Sequence, residues 1–158
     1  MRTAVDSNIL IDILSPDPAM GRQSWAALQA SRRRGPVIAC DVVYGEVAGL
    51  FPTLGEARRV LARLGLEYEP TSERAALTAS RIFRAYQRSG GDRSRLAPDF
   101  LVGAHAIDRA DRLLTRDRGF YRAYFRDLLV VEPLQLQHSV SDLDLVSGPT
   151  RLTPQRGR

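Results

Sequence analysis

A chain of 158 residues with 44% hydrophobic composition can bury one sizeable core and is too short for two ordinary domains, so a single domain is expected. All 23 basic residues are arginine against 18 acidic ones; the formal charge of +5 permits a polyanionic partner, and the missing lysine excludes P-loop nucleotide hydrolases and the lysine-dependent haloacid-dehalogenase and response-receiver folds. Cys40 has no partner for an intramolecular disulfide, and no apolar run approaches the roughly 18 residues of a membrane span or resembles a signal peptide, so a soluble, cytoplasmic protein without membrane contact is expected.

Thr3 to Asp6 is a short apolar run ending on a carboxylate, and Ser7-Asn8 then lead into Ile9, Leu10, Ile13 and Leu14 at helical spacing. Ser15-Pro16-Asp17-Pro18 breaks this helix, and a second amphipathic one runs from about Ala19 to Arg33, with Trp25 and Leu28 on its apolar side. After the Arg34-Gly35-Pro36 turn, Val37 to Cys40 reads as a second buried strand. Asp41 opens a helix through Val42, Val43, Val47 and Leu50, with Glu46 about one turn in. Phe51-Pro52-Thr53 ends it, Leu54 to Leu64 forms another helix closed by Gly65, and Leu66 to Glu69 alternates as a third strand stopping at Pro70.

Thr71 or Ser72 caps a long helix whose apolar positions are Ala76, Leu77, Ala79, Ile82, Phe83 and Tyr86. Ser89-Gly90-Gly91-Asp92 is a joint, and Arg93 and Arg95 set two cations shortly before Asp99. Asp99 follows a proline at or near the start of a helix carrying Phe100, Leu101, Ala104, Ile107 and Ala110 at helical spacing. Asp111-Arg112 turns the chain into a buried strand, Leu113 to Thr115, with Asp117 just beyond it. A short aromatic helix (Phe120, Tyr121, Tyr124, Phe125) and a last strand, Leu128 to Val131, complete the domain at Pro133. Residues 134–158 show little apolar periodicity, and an irregular tail is expected. Strands alternating with helices argue for a parallel sheet with helices on both faces.

Asp6 and Asp117 stand at strand ends, Asp99 at a helix start, and Glu46 on the helix after the second strand. Right-handed crossovers bring all strand ends to one side of the sheet, where open α/β sheets bind ligands. Four carboxylates converging there would repel one another unless a cation neutralised them, and an all-oxygen donor set suits Mg²⁺ or Mn²⁺. Zinc does not fit, because Cys40, His105 and His138 have no paired ligand spacing.

Asp6-Ser7-Asn8-Ile9-Leu10, Glu46 after strand two, Pro98 to Ala106 (PDFLVGAHA) and Leu113 to Phe120 (LLTRDRGF) together resemble the motifs of PIN domains, and in particular those of VapC toxins from bacterial toxin–antitoxin pairs. The resemblance covers roughly residues 1–133. It implies a three-layer α/β/α fold around a central parallel sheet of four to five strands, and a metal-dependent endoribonuclease, usually dimeric, neutralised by a small antitoxin. On that resemblance the family's acidic quartet falls on Asp6, Glu46, Asp99 and Asp117, with Asn8 and Thr115 as polar support; Arg93 and Arg95, near the acidic site in sequence, are candidate RNA contacts by their charge.

Each residue also has a plainer reading. The aspartates could be helix caps, Glu46 a solvated helix position, and Thr115 a β-branched strand residue. His105 reads as a structural histidine, Cys40 as core, Trp25 as core or partner contact, and Arg32-Arg33-Arg34 as a helix end favoured by the dipole. Rival functions are an RNA-processing PIN nuclease without an antitoxin and a non-catalytic binding module. With no histidine pair to work on ribose oxygens, the site has the parts to activate a water and leave a 5′-phosphate and a 3′-hydroxyl.

Overall fold

The computed structural model describes residues 1–92 and 96–133. Arg93, Arg95 and the 134–158 tail lie outside the described residues. The elements are β1 (Thr3–Val5), α1 (Ser7–Leu14), α2 (Pro18–Arg34), β2 (Val37–Ala39), α3 (Asp41–Ala48), α4 (Leu54–Arg63) and β3 (Glu67–Tyr68), followed by α5 (Glu73–Arg88), α6 (Pro98–Arg109), β4 (Arg112–Leu114), α7 (Arg118–Tyr124) and β5 (Val130–Val131).

All pairings are parallel, in the order β3-β2-β1-β4-β5. The chain steps outward from β1 to the β3 edge, then crosses back to β4 and β5 on the other side of β1. Right-handed crossovers therefore put α1 and α2 over one face and α5 to α7 over the other; α6 packs on β1 and β4, α2 packs on β2, and α3 touches both α1 and α6. This is the expected three-layer arrangement, with five strands. The strand order reverses between β1 and β4, so the crevice at their carboxyl ends is where such a sheet takes a ligand.

β1, β2, β4 and β5 are buried along their whole length, which is why their sequences run apolar without alternation. Beneath the crevice, Phe83, Tyr86, Phe100, Phe120, Tyr121, Tyr124 and Phe125 form one aromatic cluster joining α5, α6 and α7, with ring centroids 5.0 to 6.3 Å apart in tilted and edge-on pairs and one stacked pair, Phe83 on Tyr86. Gly103 admits the Phe125 ring against α6: a Cβ there would stand 2.6 Å from the ring.

Four details differ from the expectations. β3 is shorter than Leu66 to Glu69 and exposed, as an edge strand with no neighbour on one side is free to be. Leu77 is 64% exposed and Ile107 is also exposed, because the outer surfaces of α5 and α6 extend past the contact each makes with the other. Trp25, on α2, is likewise exposed and not core. Arg112 lies inside β4 and not in a turn: register places it beside Thr3, whose hydroxyl accepts from its Nε at 2.9 Å.

Candidate active site

Asp6 is the residue after β1 and sits at the start of α1, yet its side chain caps no amide of that helix. Asp17, Thr53, Ser72 and Asp117 all do cap theirs, so the plain helix-cap reading holds for Asp117 and fails for Asp6. The buried Asp6 carboxylate is instead held from across the sheet. Its Oδ2 accepts from the Thr115 hydroxyl at 2.7 Å and from the Asn8 amide at 2.9 Å. The Thr115 oxygen in turn accepts from Asn8 Nδ2 at 3.0 Å and from the Asp117 backbone N–H at 3.0 Å, and Asn8 Oδ1 accepts from the Arg116 N–H at 3.2 Å. Thr115 thus donates once and accepts twice, and Asn8 donates twice and accepts once. Thr115 has spent its full hydrogen-bonding capacity, and Asn8 all but one lone pair, on fixing the ends of β1 and β4 to each other.

Asp99 lies in the first turn of α6, after Pro98, and its charge acts on Asp6. Burial pushes the Asp6 carboxyl above its usual range, Asp99 adds to the shift, and the bond from Thr115 opposes it. Asp117 takes the N-cap of α7, accepting from the Phe120 N–H at 3.1 Å. One further group lies beside Asp6, the hydroxyl of the fully buried Tyr121, whose ionisation is driven far above its ordinary range by burial, with the charges of Asp6, Asp99 and Asp117 adding to it. Glu46 is exposed on α3, a helix packed against α1 and α6, and it forms no hydrogen bond or ion pair among the described residues. The structure therefore joins Asp6, Asn8, Thr115 and the Asp117 backbone by hydrogen bonds, sets Asp99 where its charge acts on Asp6, and leaves Glu46 exposed on α3 without a hydrogen bond or ion pair to them among the described residues.

The chemistry of this set is that of a hard cation site: oxygen donors only, with the most buried member, Asp6, pre-oriented by Thr115 and Asn8. Among the described residues no three acidic, histidine or cysteine side chains already stand at ligand spacing around one point. His105 is buried away from the three, bonded to the Glu69 backbone and facing Asp41 and Arg109, and burial holds its pKa down, consistent with a structural role. Cys40 is core.

Two features of the site had no reading in the sequence. Arg116, between Thr115 and Asp117, points the other way and joins Asp12 of α1, the Ser24 hydroxyl at 3.0 Å and the Met20 carbonyl at 3.1 Å on α2, while Ser24 donates to Asp12 at 2.7 Å. Gly21 lets α2 come this close, since a Cβ would stand 2.9 Å from the Asp12 carbonyl oxygen. The alternation of a strand end, with Thr115 inward and its neighbour outward, is the signal that could have found Arg116. Tyr121 is the other feature; nothing in an aromatic helix distinguishes it from core.

The family model for the PIN domain matches residues 3–126. A search of curated proteins found no match. Among solved structures, the chain is similar to VapBC-1 from nontypeable Haemophilus influenzae (18% identity, 85% of this chain and 99% of that one, TM-score 0.65). It is similar also to VapBC2 from Rickettsia felis bound to a promoter DNA fragment (15%, 84% and 98%, 0.63) and to FitAcB from Neisseria gonorrhoeae (22%, 84% and 98%, 0.59). At these identities the likeness is one of fold.

Proposed function

The chain belongs to the PIN domain family, a family of nucleases, and from that premise we propose that it is a divalent-cation-dependent endoribonuclease acting as the toxin of a VapC-type toxin–antitoxin pair, with the catalytic unit in residues 1–133. The observation that carries this reading is the set of three carboxylates at the β1/β4 switch point, one of them locked by Asn8 and Thr115 before any ligand arrives. Asp6, Asp99 and Asp117 would hold Mg²⁺ or Mn²⁺, with Glu46 completing the set from α3. When bound, the cation neutralises the carboxylates and makes a water acidic enough to serve as nucleophile at neutral pH. The chain's own part is to orient these oxygens, keep Asp6 out of bulk water and seat the RNA phosphate over them.

Support for a polyanionic substrate comes from the α5–α7 surface. Arg81, Arg88 and Arg126 border an open groove of about 320 Å³ with Ile82, Ile107 and Tyr124 on its walls, and none of the three arginines makes an ion pair among the described residues. Support for a protein partner comes from the opposite edge, where a groove of about 700 Å³ between α3, α4 and β3 is lined by Tyr44, Ala48, Leu54, Leu61, Leu66 and Tyr68. The similar structures include toxin–antitoxin complexes, and we assign this groove to an apolar antitoxin segment. Exposed Met20 and Trp25 on α2 are the candidate contact of a homodimer. No helix among the described residues is long and apolar enough to cross a membrane, and we place the protein in the cytoplasm, where RNA is available.

The deciding experiment is expression in a bacterial host. Growth arrest that requires Asp6, and is relieved by the open reading frame encoded beside this one, supports the toxin. Cleavage without growth arrest would point to RNA processing instead, and no cleavage of any RNA in Mg²⁺ or Mn²⁺ would refute the nuclease.

A further inference from the structure

Tyr121 is the largest fully buried side chain among the described residues, and its hydroxyl has no hydrogen-bond partner of acceptable geometry among them. The ring is fixed: Phe120 packs edge-on to it at 5.2 Å and Phe125 lies at 5.9 Å, both within the aromatic cluster under the crevice. The hydroxyl's position is therefore set by packing, and the acidic group beside it is Asp6. An unpartnered buried hydroxyl costs roughly 1–3 kcal/mol, and phenylalanine would fill the same space without that cost. A phenol is a hydrogen-bond donor at neutral pH, so it offers the site a donor and no charge.

Asp6 has room for that donor. Thr115 and Asn8 both bond Oδ2, while the side-chain contact to Oδ1 is a long one of 3.4 Å from the Ser7 hydroxyl. We propose that Tyr121 is a positioning residue for the acidic site: when a divalent cation draws the carboxylates together, its hydroxyl donates to the Asp6 carboxylate and fixes the plane in which that carboxylate meets the cation. The inference rests on the cation-dependent nuclease reading and adds a residue to it. Groups that orient a ligating side chain in this way typically change metal affinity by about 10- to 100-fold when removed.

The test is Tyr121→Phe in the full chain, with Mn²⁺ binding followed by calorimetry and the melting temperature of the metal-free protein measured alongside. The expected result is an Mn²⁺ Kd weakened by about 10-fold or more, with the metal-free melting temperature unchanged or raised because a partnerless hydroxyl has gone. A Kd within about twofold of the parent overturns the proposal, since a purely structural tyrosine would behave that way. Should the phenylalanine chain melt lower, 3-fluorotyrosine placed at position 121 decides: it keeps the donor, so parent-like affinity supports the proposal and phenylalanine-like affinity overturns it. Asp6→Asn separates the two levels of inference. If that variant binds Mn²⁺ as the parent does, the cation reading itself fails; if it loses binding while Tyr121→Phe keeps it, only the role of Tyr121 fails.

Discussion

At the carboxyl ends of β1 and β4, the polar atoms of Asn8 and Thr115 are all engaged, the residues are buried or half-buried, and contacts reach from one half of the chain to the other. Two strands away, beside β3, the reverse holds: Leu54 is 81% exposed, Leu50 and Tyr68 are exposed as well, and the edge of the sheet is bare on one side. Both regions sit on the same parallel sheet, so the difference is not one of scaffold. A site that must orient charge is completed within the chain, because a displaced carboxylate would be useless to a cation. A surface completed by another chain stays apolar and open, since its desolvation contributes binding energy only if it is deferred until the partner arrives.

The largest effect should come from the acidic edge. Asp6→Asn and Asp99→Asn each remove a charge at nearly constant volume, and cleavage in millimolar Mg²⁺ should fall at least about a thousandfold, roughly 4 kcal/mol of barrier, while circular dichroism stays unchanged. Full activity in either variant would show that the crevice is not the reaction centre. Thr115→Val comes next. It keeps the shape of the strand end but strips Asp6 of one donor and leaves the Asp117 and Asn8 N–H groups without their acceptor, so we expect about 1–3 kcal/mol of lost stability in denaturant and a 10- to 100-fold loss of activity. A neutral Thr115→Val would mean that the interlock is incidental.

On the open side the same measurements should diverge. Leu54→Asp alters an exposed residue, so the stability of the chain alone should move by less than about 0.5 kcal/mol, whereas affinity for the antitoxin should fall by about 1–2 kcal/mol in calorimetry. If Leu54→Asp unfolds the isolated chain, or leaves the complex as tight as before, the two regions do not differ in the way described.

Much of this could be read from the sequence because the information was local. Three- and four-residue apolar runs that stop on Asp6, Asp41 or Thr115 are what short buried parallel strands look like, and their alternation with helices dictates the sheet. Asp6 and Asp117 were visible as the polar residues that end such runs. What escaped was set by partners distant in the chain. Arg112 reads as a turn residue until register puts Thr3 beside it, and Arg116 gains its meaning from Asp12, 104 residues away. Leu77 and Ile107 fit the helical period but fall outside the α5–α6 contact, for periodicity reports which residues share a face and not how wide the covering is. Tyr121 was legible only as one residue of a short aromatic helix; that its hydroxyl lies beside Asp6 follows from tertiary packing, which no local pattern shows.

The smallest expected effect concerns how the acidic edge costs stability when it stands without a cation. Burial and Asp99 raise the Asp6 carboxyl in the folded chain, whereas in the unfolded chain it returns to about 3.8. Between those two values the folded state holds a proton that the unfolded state has released, so folding is favoured by acid: the contribution is fully present below the unfolded value and is lost as pH rises through the folded one. Asp6→Asn has no such proton. The metal-free variant should therefore out-melt the parent by a margin that widens as pH is raised from about 4 and levels off once Asp6 is ionised in the native protein. His105, Asp41 and Asp108 also titrate differently on folding, but they are common to both chains and cancel in the difference. Saturating Mg²⁺ should narrow or invert the margin near neutral pH, because only the parent chain offers the cation the Asp6 charge. Paired thermal melts across pH, with and without Mg²⁺, read all of this directly. A margin that stays flat, or that shrinks with rising pH in the absence of metal, would show that Asp6 is ionised throughout, as an exposed carboxylate is, and that the crevice is less strained by its own charges than the structure indicates.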